Sequence, residues 1–478
     1  MIDETAELGV ALERVGEWIE RYFSHPERYA VMPPVCPGDV VAALPSQAPE
    51  RGEPFDSIFA DFERIIVPAT THWNHPRFFA YFATSAAPIA IAAEALAATL
   101  DVKAMLWRTS PAATELEEVT MRWLGQLLGL PPKWTGIIYD TASIAGFTAL
   151  AAAREALDLD IRERGMAGRS LPPLRVYITN ETHSHVEKAA IALGIGQRNV
   201  VRIPCDLESR MRPEALRQAI ETDRAAGMRP LAIVATVGTT STTSIDPVAK
   251  IAAVARECGV WLHVDAAYAG IAAIVPEFRG LLDGAEHADS LVVNPHKWMF
   301  VPMDLSALFV KDESIVRRAF SLVPEYLTGP EAGVVNYMDY GLQLGRRFRA
   351  LKLWFVLRHF GAEGVRERLR GHIALAQQFA AWLRAEPNWE ILAPHPLSVV
   401  CFHYAPAGLD AAALDALNAA IMHAVNATGE VFLSHTKIDG AYAMRLAIGN
   451  LRTKREDVEH AWRILRQEAS RELLREHG

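Results

Sequence analysis

The chain has few cysteines and no long uninterrupted apolar run. Among its 478 residues are four cysteines, none of them in a C-x-x-C spacing. This excludes a disulfide framework and a zinc site built on paired cysteines, and it favours a reducing compartment. The most apolar run, residues 86–100, contains Glu94 and is too short to cross a bilayer. The amino end carries Asp3, Glu4 and Glu7 rather than a signal peptide, so a cytoplasmic protein without a membrane partner is expected.

Basic clusters and glycine-rich nucleotide turns are also missing. The formal net charge is -9 and no Lys/Arg block stands out, which argues against nucleic acid as a partner. Residues 194–199 begin like a dinucleotide fingerprint, but they lack its third glycine and follow a predicted helix rather than a strand. Hydrophobic residues make up 50% of the chain and charged residues 22%, as expected of a globular protein.

Short β runs alternate with helical segments from about residue 115 onward. The predicted strands of this region are residues 137–139, 175–179, 231–237, 261–264 and 291–293, and the predicted helices are 143–161, 186–193 and 247–258. Repeated βα units predict an α/β fold with a mostly parallel central sheet covered by helices.

Three segments are predicted along the chain. Residues 1–84 form an N-terminal helical arm and dimerisation segment, with helical periodicity over residues 5–23. Residues 85–360 form the large domain. Residues 361–478 form a small C-terminal α+β domain, in which short apolar runs alternate with helical patterns.

One lysine and one aspartate follow buried strands. Lys297 stands in the sequence Asn-Pro-His-Lys-Trp after the run 291–293, and Asp265 follows the run 260–264. Ligands of α/β folds lie at the carboxyl ends of the strands. A lysine that binds an aldehyde and an aspartate that pairs with a pyridine nitrogen are what a protein contributes to pyridoxal phosphate (PLP) chemistry. The alternatives are a solvated lysine and an aspartate that caps a helix.

Two further stretches suit a planar, phosphorylated cofactor. Thr141, Ala142 and Ser143 precede a predicted helix, whose N-terminal N–H groups can bind an anion, although a plain helix cap fits as well. His183 is either a ring that stacks on the cofactor or an ordinary loop histidine. With His185 it forms a His-x-His pair, but no third ligand follows at metal-site spacing, so no metal is predicted.

Together these motifs resemble the group II PLP-dependent decarboxylases, and most closely the aromatic-L-amino-acid decarboxylases. The resemblance runs from about residue 72 to residue 453. It rests on the stretches 75–82, 110–117, 234–240, 263–270, 294–298, 344–349 and 447–450. It implies PLP-dependent transferase fold type I and a homodimer with active sites at the interface.

The resemblance implies a role for each matching residue. Lys297 corresponds to the lysine that binds PLP, Asp265 to the partner of the pyridine nitrogen, and His183 to the stacking imidazole. The remaining cofactor positions are Ala142, Ser143, Asn294 and His296 around the phosphate, Thr240 beside the cofactor, and Ala267 on the other ring face. Tyr326 corresponds to the mobile-loop tyrosine that protonates the substrate carbon after CO2 leaves, and residues 322–339 have the composition of a lid.

Substrate preference follows from a separate set of positions. Those that match the substrate pocket are Trp73, Tyr81, Phe82, Thr84, Met105 and Gly345. Gly345 leaves room for an indole or catechol, while Lys103, like Met105, departs from the animal relatives. The expected substrates are tryptophan, DOPA, tyrosine or phenylalanine. The alternatives are histidine or a non-aromatic amino acid, an aldehyde synthase (which would carry phenylalanine in place of Tyr326), or a PLP-binding protein without turnover.

Overall fold

The computed structural model describes residues 4–322 and 333–476. The chain divides into two compact units. The large unit comprises Thr84–Trp382 and Ile391–Cys401, and the terminal unit comprises Met1–Ala83, Leu383–Glu390 and Phe402–Gly478. The three segments predicted from the sequence, with their boundaries after residues 84 and 360, stay a prediction.

The helices are numbered in chain order. They are α1 Glu4–Ser24, α2 Asp39–Ala43, α3 Phe55–Asp61, α4 Pro88–Leu100, α5 Pro111–Leu128, α6 Ala142–Glu155, α7 Ile161–Arg164, α8 His185–Ala192, α9 Pro213–Ala225, α10 Val248–Glu257, α11 Pro295–Trp298, α12 Glu313–Phe320, α13 Ala350–Ala385, α14 Ala411–Ala427 and α15 Arg455–Glu476. Helix α13 changes direction at Gly361, whose φ of 61° lies where only glycine is unstrained.

A seven-stranded sheet forms the centre of the large unit. Its strands are β1 Thr135–Tyr139, β2 Leu174–Ile178, β3 Val200–Arg202, β4 Arg229–Thr236, β5 Trp261–Asp265, β6 Ser290–Val293 and β7 Ser306–Val310, in the order β1-β7-β6-β5-β4-β2-β3. Strand β7 runs antiparallel to both of its neighbours, and the other pairings are parallel. The predicted α/β fold with a mostly parallel sheet is confirmed.

Burial explains why these strands are so apolar. Every residue of β5, β6 and β7 is buried, and so is every residue of β4 except Arg229. A parallel sheet covered by helices on both faces offers its strands no polar side, so continuous Val, Ile, Leu and Ala runs are favoured. This is the pattern from which the central strands were predicted.

Helix α6 ends earlier than predicted. The sequence suggested a helix over residues 143–161, but α6 stops at Glu155. Asp158 and Asp160 follow with φ of 52° and 54°, in the left-handed region that aspartate tolerates better than most residues. The apolar residues Leu157 and Leu159 continue the helical spacing and pack on the core without being helical.

A four-stranded sheet, ordered β10-β11-β9-β8, is built from the C-terminal part of the chain. Its strands are β8 Trp389–Ile391, β9 Val399–Tyr404, β10 Ser434–Ile438 and β11 Ala441–Ala447. Strands β10 and β11 form a hairpin whose turn residues, Asp439 and Gly440, both have positive φ. That backbone matches the type I′ turn favoured by Asp-Gly.

A buried ion pair between Glu117 of α5 and Arg346 holds strand β1 in place. Arg346 donates to the Glu117 carboxylate at 2.6 Å and to the carbonyl of Ile138 at 2.7 Å. The same carboxylate accepts the N–H of Ile138 at 2.9 Å. The guanidinium also lies 4.5 Å from the ring centroid of Tyr337. Burial opposes the charge of Arg346, but Glu117 more than offsets this and raises the arginine's pKa.

We expect Glu117→Gln to destabilise the protein by about 3 kcal/mol, because it leaves a buried guanidinium without its counter-charge. The midpoint of urea unfolding, read by intrinsic fluorescence, measures the effect. The matched control is Glu459→Gln, which breaks an exposed pair with Arg455 and is expected to cost under about 1 kcal/mol. Equal shifts in the two variants would contradict this account of the ion pair.

Candidate active site

The carboxyl ends of the parallel strands meet at one edge of the large sheet. Strands β5 and β6 are neighbours, as are β5 and β4. The segments that leave this edge contain Asp140 after β1, His183 after β2, Thr240 after β4, Asp265 at the end of β5, and Asn294 to Lys297 after β6. The topology therefore brings the predicted cofactor residues of five strands to a single edge, as expected for an α/β ligand site.

Lys297 lies in the single turn α11 and is half-buried. Its backbone N–H donates to the carbonyl of Asn294 at 2.9 Å, which closes the turn. Burial lowers the pKa of the amine, and the negative charge of Asp265 opposes that shift. A lowered pKa raises the fraction of neutral amine, which is the nucleophilic form.

Asp265 is 5% exposed at the last position of β5. Its Oδ1 accepts the N–H of Ala267 at 3.1 Å. Burial alone would raise its pKa, but His185, Lys297 and His263 nearby outweigh burial and lower it. The carboxyl group therefore stays ionised at neutral pH, and it presents a fixed negative charge at the edge of the sheet.

Asn294 and His296 are buried and held by short bonds. The Asn294 Oδ1 accepts from Ser306 Oγ at 2.6 Å, and its backbone N–H donates to Ala267 O at 3.0 Å. His296 Nδ1 accepts the N–H of Leu305 at 3.0 Å. Burial lowers the pKa of His296 to about 3, so the ring is neutral and its proton resides on Nε2. Both side chains are thus oriented, and each has an N–H donor to offer.

The N-terminus of α6 provides further donors at this edge. Thr141 precedes the helix with an extended backbone, and its N–H donates to Asp140 Oδ1 at 2.6 Å. Ala142 is half-buried and Ser143 exposed, so both are accessible at the first turn. The first N–H groups of a helix have no partner within it and attract anions.

His183 and Thr240 flank the sheet edge on loops, and both are exposed. Ala267 follows Asp265 and is buried. The Nδ1 of His183 lies 3.1 Å from the Nδ1 of His185, the first residue of α8. Although the residue is exposed, partial desolvation of its ring at the sheet edge lowers the pKa of His183, with a smaller contribution from Lys297, so the imidazole is neutral and suited to stacking on an aromatic ring.

The predicted substrate residues are spread over both units. Trp73, Tyr81 and Phe82 belong to the terminal unit, where the Trp73 ring stacks on Phe78 at 4.3 Å between centroids and the Arg445 guanidinium lies 5.4 Å from the Phe82 ring.

The remaining substrate positions lie in the large unit. Thr84 and Met105 are half-buried, and Lys103 and Gly345 are exposed. A Cβ added at Gly345 would meet nothing within 4 Å. Tyr326 lies outside the described residues.

Sequence reasoning assigned no role to three buried side chains near this site: His185 at the start of α8, His263 within β5 and Ser290 at the start of β6. The His263 Nδ1 and Ser290 Oγ are 2.9 Å apart, and the Trp261 Nε1 donates to the same hydroxyl at 3.0 Å. Burial lowers the pKa of His263 to about 4. His263 belongs to the motif 263–270, which the sequence analysis singled out. Its hydrogen bond to Ser290 of the next strand cannot be read from the sequence.

The side chains and helix N–H groups at this edge fit PLP. The amine suits the PLP aldehyde, and the fixed carboxylate suits its pyridine nitrogen. The neutral imidazoles suit its aromatic ring, and the helix N–H groups suit its phosphate. Within residues 4–322 and 333–476, no group of three or more His, Cys, Asp or Glu side chains is arranged to hold a metal ion. In the same ranges, no helix is long and apolar enough to cross a membrane.

Comparison with known proteins gives the same result. A family model described as the pyridoxal-dependent decarboxylase conserved domain matches residues 37–405. Tryptophan decarboxylase TDC1 of Camptotheca acuminata is 40% identical over 465 residues, covering 95% of this chain and 92% of that protein. A phenylacetaldehyde synthase of Arabidopsis thaliana is 38% identical, with coverages of 95% and 94%. The crystal structure of Oryza sativa TDC with PLP and tryptamine superposes with a TM-score of 0.94, at 33% identity, covering 98% of this chain and 99% of that one.

The family model spans more than half of the chain, and the relatives match it over nearly its full length. The resemblance stated from the motifs, the PLP-dependent fold, the PLP cofactor and the enzyme class are confirmed. The residue-by-residue roles remain predictions. The chain belongs to the pyridoxal-dependent decarboxylase family and is an enzyme of the aromatic amino acid decarboxylase type.

Proposed function

We propose that this enzyme removes the carboxyl group of aromatic L-amino acids and releases the arylalkylamine and CO2. The observation that carries the proposal is the placement of Asp265 at the end of β5 and of Lys297 just after the neighbouring strand β6. The pKa of both groups is lowered, which favours a neutral amine beside an ionised carboxylate. The aromatic substrate class is supported by similarity to a tryptophan decarboxylase and to a structure containing tryptamine.

Each residue contributes one physical task. When bound, PLP supplies an aldehyde that captures the substrate amine and a ring that accepts the electron pair left by CO2. Lys297 holds the cofactor until substrate arrives, and its lowered pKa keeps the amine available for exchange. Asp265 keeps a negative charge opposite the ring nitrogen, which favours the protonated, electron-accepting form.

The phosphate and the ring need different partners. Ala142 and Ser143 offer N–H groups at the start of α6, and Asn294 and His296 add side-chain donors. His183 would stack on one face of the PLP ring, Ala267 is small enough to pack against the other, and Thr240 would contact the cofactor from its loop.

Substrate binding is assigned to Trp73, Tyr81, Phe82, Thr84, Met105 and Gly345. The absence of a Cβ at Gly345 leaves open space suited to a bicyclic or hydroxylated ring. Purified, PLP-loaded protein incubated with equal tryptophan, DOPA, tyrosine, phenylalanine, histidine and glutamate, followed by mass spectrometry, tests this choice. Dominant arylalkylamine is expected, whereas dominant histamine or 4-aminobutyrate would overturn the aromatic assignment.

Tyr326, outside the described residues, is proposed to protonate the substrate carbon after CO2 leaves. We expect Tyr326→Phe to lower amine formation by about 10²-fold, as loss of a general acid does. Dioxygen then takes the electron pair: amino acid, O2 and water give aldehyde, CO2, ammonia and hydrogen peroxide. The aldehyde synthases among the relatives favour this outcome. Chromatography of amine and aldehyde, with a peroxide assay, measures the switch.

The matched control is Tyr404→Phe, a tyrosine of β9. That variant should release amine without peroxide, as the wild type does. A Tyr326→Phe enzyme that makes amine alone at the wild-type rate would remove Tyr326 from the mechanism.

A homodimer with active sites at the interface is proposed as the working form, in the cytoplasm. Large apolar side chains are exposed on the N-terminal segment, with Val10 at 68%, Val41 at 78% and Ile58 at 56%. Their concentration in this segment supports its use in association. All four cysteines are free, which suits a reducing compartment. Light scattering should give the mass of two chains, and a single-chain mass would refute the dimer.

A further inference from the structure

The two histidines beside the sheet edge differ sharply in environment. His183 is exposed, whereas His185 is 3% exposed at the start of α8. Their Nδ1 atoms are 3.1 Å apart, a hydrogen-bond distance, and the ring centroids are 5.2 Å apart. One of these two nitrogens must carry a proton and the other must accept it.

The backbone decides which ring is the donor. The N–H of His185 donates to His183 Nδ1 at 3.3 Å. A ring nitrogen that accepts a hydrogen bond has no proton of its own, so His183 Nδ1 is unprotonated. His185 Nδ1–H is then the donor between the rings. The remaining proton of His183 is placed on Nε2, in the same way that a partner fixes the tautomer of other functional histidines.

The position of the His185 ring is fixed by α6. A Cβ at Gly146 would lie 2.6 Å from His185 Nε2 and 2.8 Å from its Cδ2, so the ring rests where only glycine leaves room. The Nε2 is buried and has no hydrogen-bond partner in the described part of the chain. Leaving a buried acceptor unpaired costs roughly 1–3 kcal/mol. A serine or alanine at residue 185 would avoid this cost, and what the imidazole adds in its place is the hydrogen bond to His183.

We propose that His185 is a positioning residue that fixes the tautomer and ring plane of His183, and thereby the face that His183 presents to the cofactor. This inference rests on the proposed function, since it gives His183 its stacking role. Burial lowers the pKa of His185, and Asp265 opposes that shift. The ring therefore acts as a neutral donor rather than as a charge.

Two amide substitutions separate positioning from filling space. Asparagine carries its amide nitrogen at the position of His Nδ1, whereas glutamine carries it at the position of Nε2. We expect His185→Asn to retain most activity and PLP affinity. His185→Gln should weaken PLP binding and lower kcat, each on the order of tenfold, because the stacked ring is no longer held in place. His287→Asn, at an exposed histidine, is the matched control and should change neither quantity.

PLP affinity is measured by quenching of intrinsic fluorescence in the apoprotein, and the visible absorption band of the bound cofactor reports the ring's surroundings. The inference is overturned if the asparagine and glutamine variants bind PLP equally well with unchanged spectra. Failure of the proposed function looks different, since the wild type would then release no arylalkylamine while the two variants still differed in PLP affinity.

A measurement on the wild-type protein tests the proposal even if the variants fail to fold. Nitrogen-15 NMR of histidine-labelled apoprotein reports the tautomer of each ring, and the His183 signal is the one lost in His183→Asn. We expect the Nε2–H tautomer at His183. An Nδ1–H tautomer would overturn the proposal. Gly146→Ala, which pushes on the His185 ring, should mimic the glutamine variant in PLP affinity.

Discussion

Replacement of Lys297 by alanine is expected to lower the rate of amine formation by at least about 10⁴-fold, since loss of a covalent-catalysis residue removes the whole pathway that it opens. The half-buried amine at the end of β6 has no substitute among the residues that follow β6. PLP should still bind to the variant, but more weakly, because its ring and phosphate partners remain.

The assay combines turnover with a covalent label. After borohydride reduction, the wild-type peptide that contains Lys297 should carry the mass of the cofactor, and the same peptide from Lys297→Ala should not. Lys250→Ala, an exposed lysine on α10, is the matched control and should behave as the wild type. A cofactor adduct on a different lysine, or turnover retained in Lys297→Ala, would show that the attachment point is elsewhere.

Asparagine at residue 265 should reduce kcat by about 10³-fold, comparable to the loss of a fixed group that stabilises charge in a transition state. The change keeps the size of the side chain and removes its negative charge. His185, Lys297 and His263 hold the pKa of Asp265 below its usual value despite burial, so the wild-type group is charged at neutral pH. The effect should appear in kcat more than in PLP affinity.

The opposite edge of the same sheet provides the control. Asp289 precedes β6, and its Oδ2 accepts the N–H of Leu262 at 2.8 Å. Asp289→Asn keeps an accepting oxygen and lies at the amino ends of β5 and β6, away from the site, so it should leave kcat unchanged. Equal losses in both variants would mean that the effect is structural, and full activity of Asp265→Asn would remove the carboxylate from the mechanism.

The central strands and the residues that follow them were predictable from sequence alone. Buried parallel strands are continuous apolar runs, and Asp265 and the segment 294–297 stand directly at their ends. Strand direction was not predictable in the same way. Strand β7 is as apolar as its neighbours but runs antiparallel, and a short apolar run carries no signal of its direction or even of its type. It was not predicted.

Pairings between distant segments were beyond sequence reasoning. Glu117 and Arg346 lie in two separate family motifs, and only the fold shows that they form one buried ion pair. In the terminal unit, the N–H of Ala447 donates to Phe79 O at 3.0 Å, and Asn450 Nδ2 donates to His75 O at 3.1 Å. Contacts between motifs that are distant in sequence are therefore visible only in the fold.

Spacing along the chain does not show which contact a side chain makes. The His-x-His stretch at residue 183 has the spacing of a ligand pair, although no metal was predicted from it, and in the structure the two rings lie within hydrogen-bond distance of each other. Spacing along the chain is the same in both cases. What distinguishes them is that His185 turns inward against Gly146 of α6, a contact between elements that are far apart in sequence.

Carboxyl-labelled L-tryptophan provides the most direct test of the central claim, that this site removes the carboxyl group and keeps the amine. Purified, PLP-loaded enzyme is incubated with the labelled substrate, and labelled CO2 and tryptamine are quantified by mass spectrometry. The account predicts equal molar amounts of labelled CO2 and unlabelled tryptamine from the wild type. Neither product should form with the Lys297→Ala variant. Label retained in the product, or no CO2 from any aromatic amino acid, would contradict it.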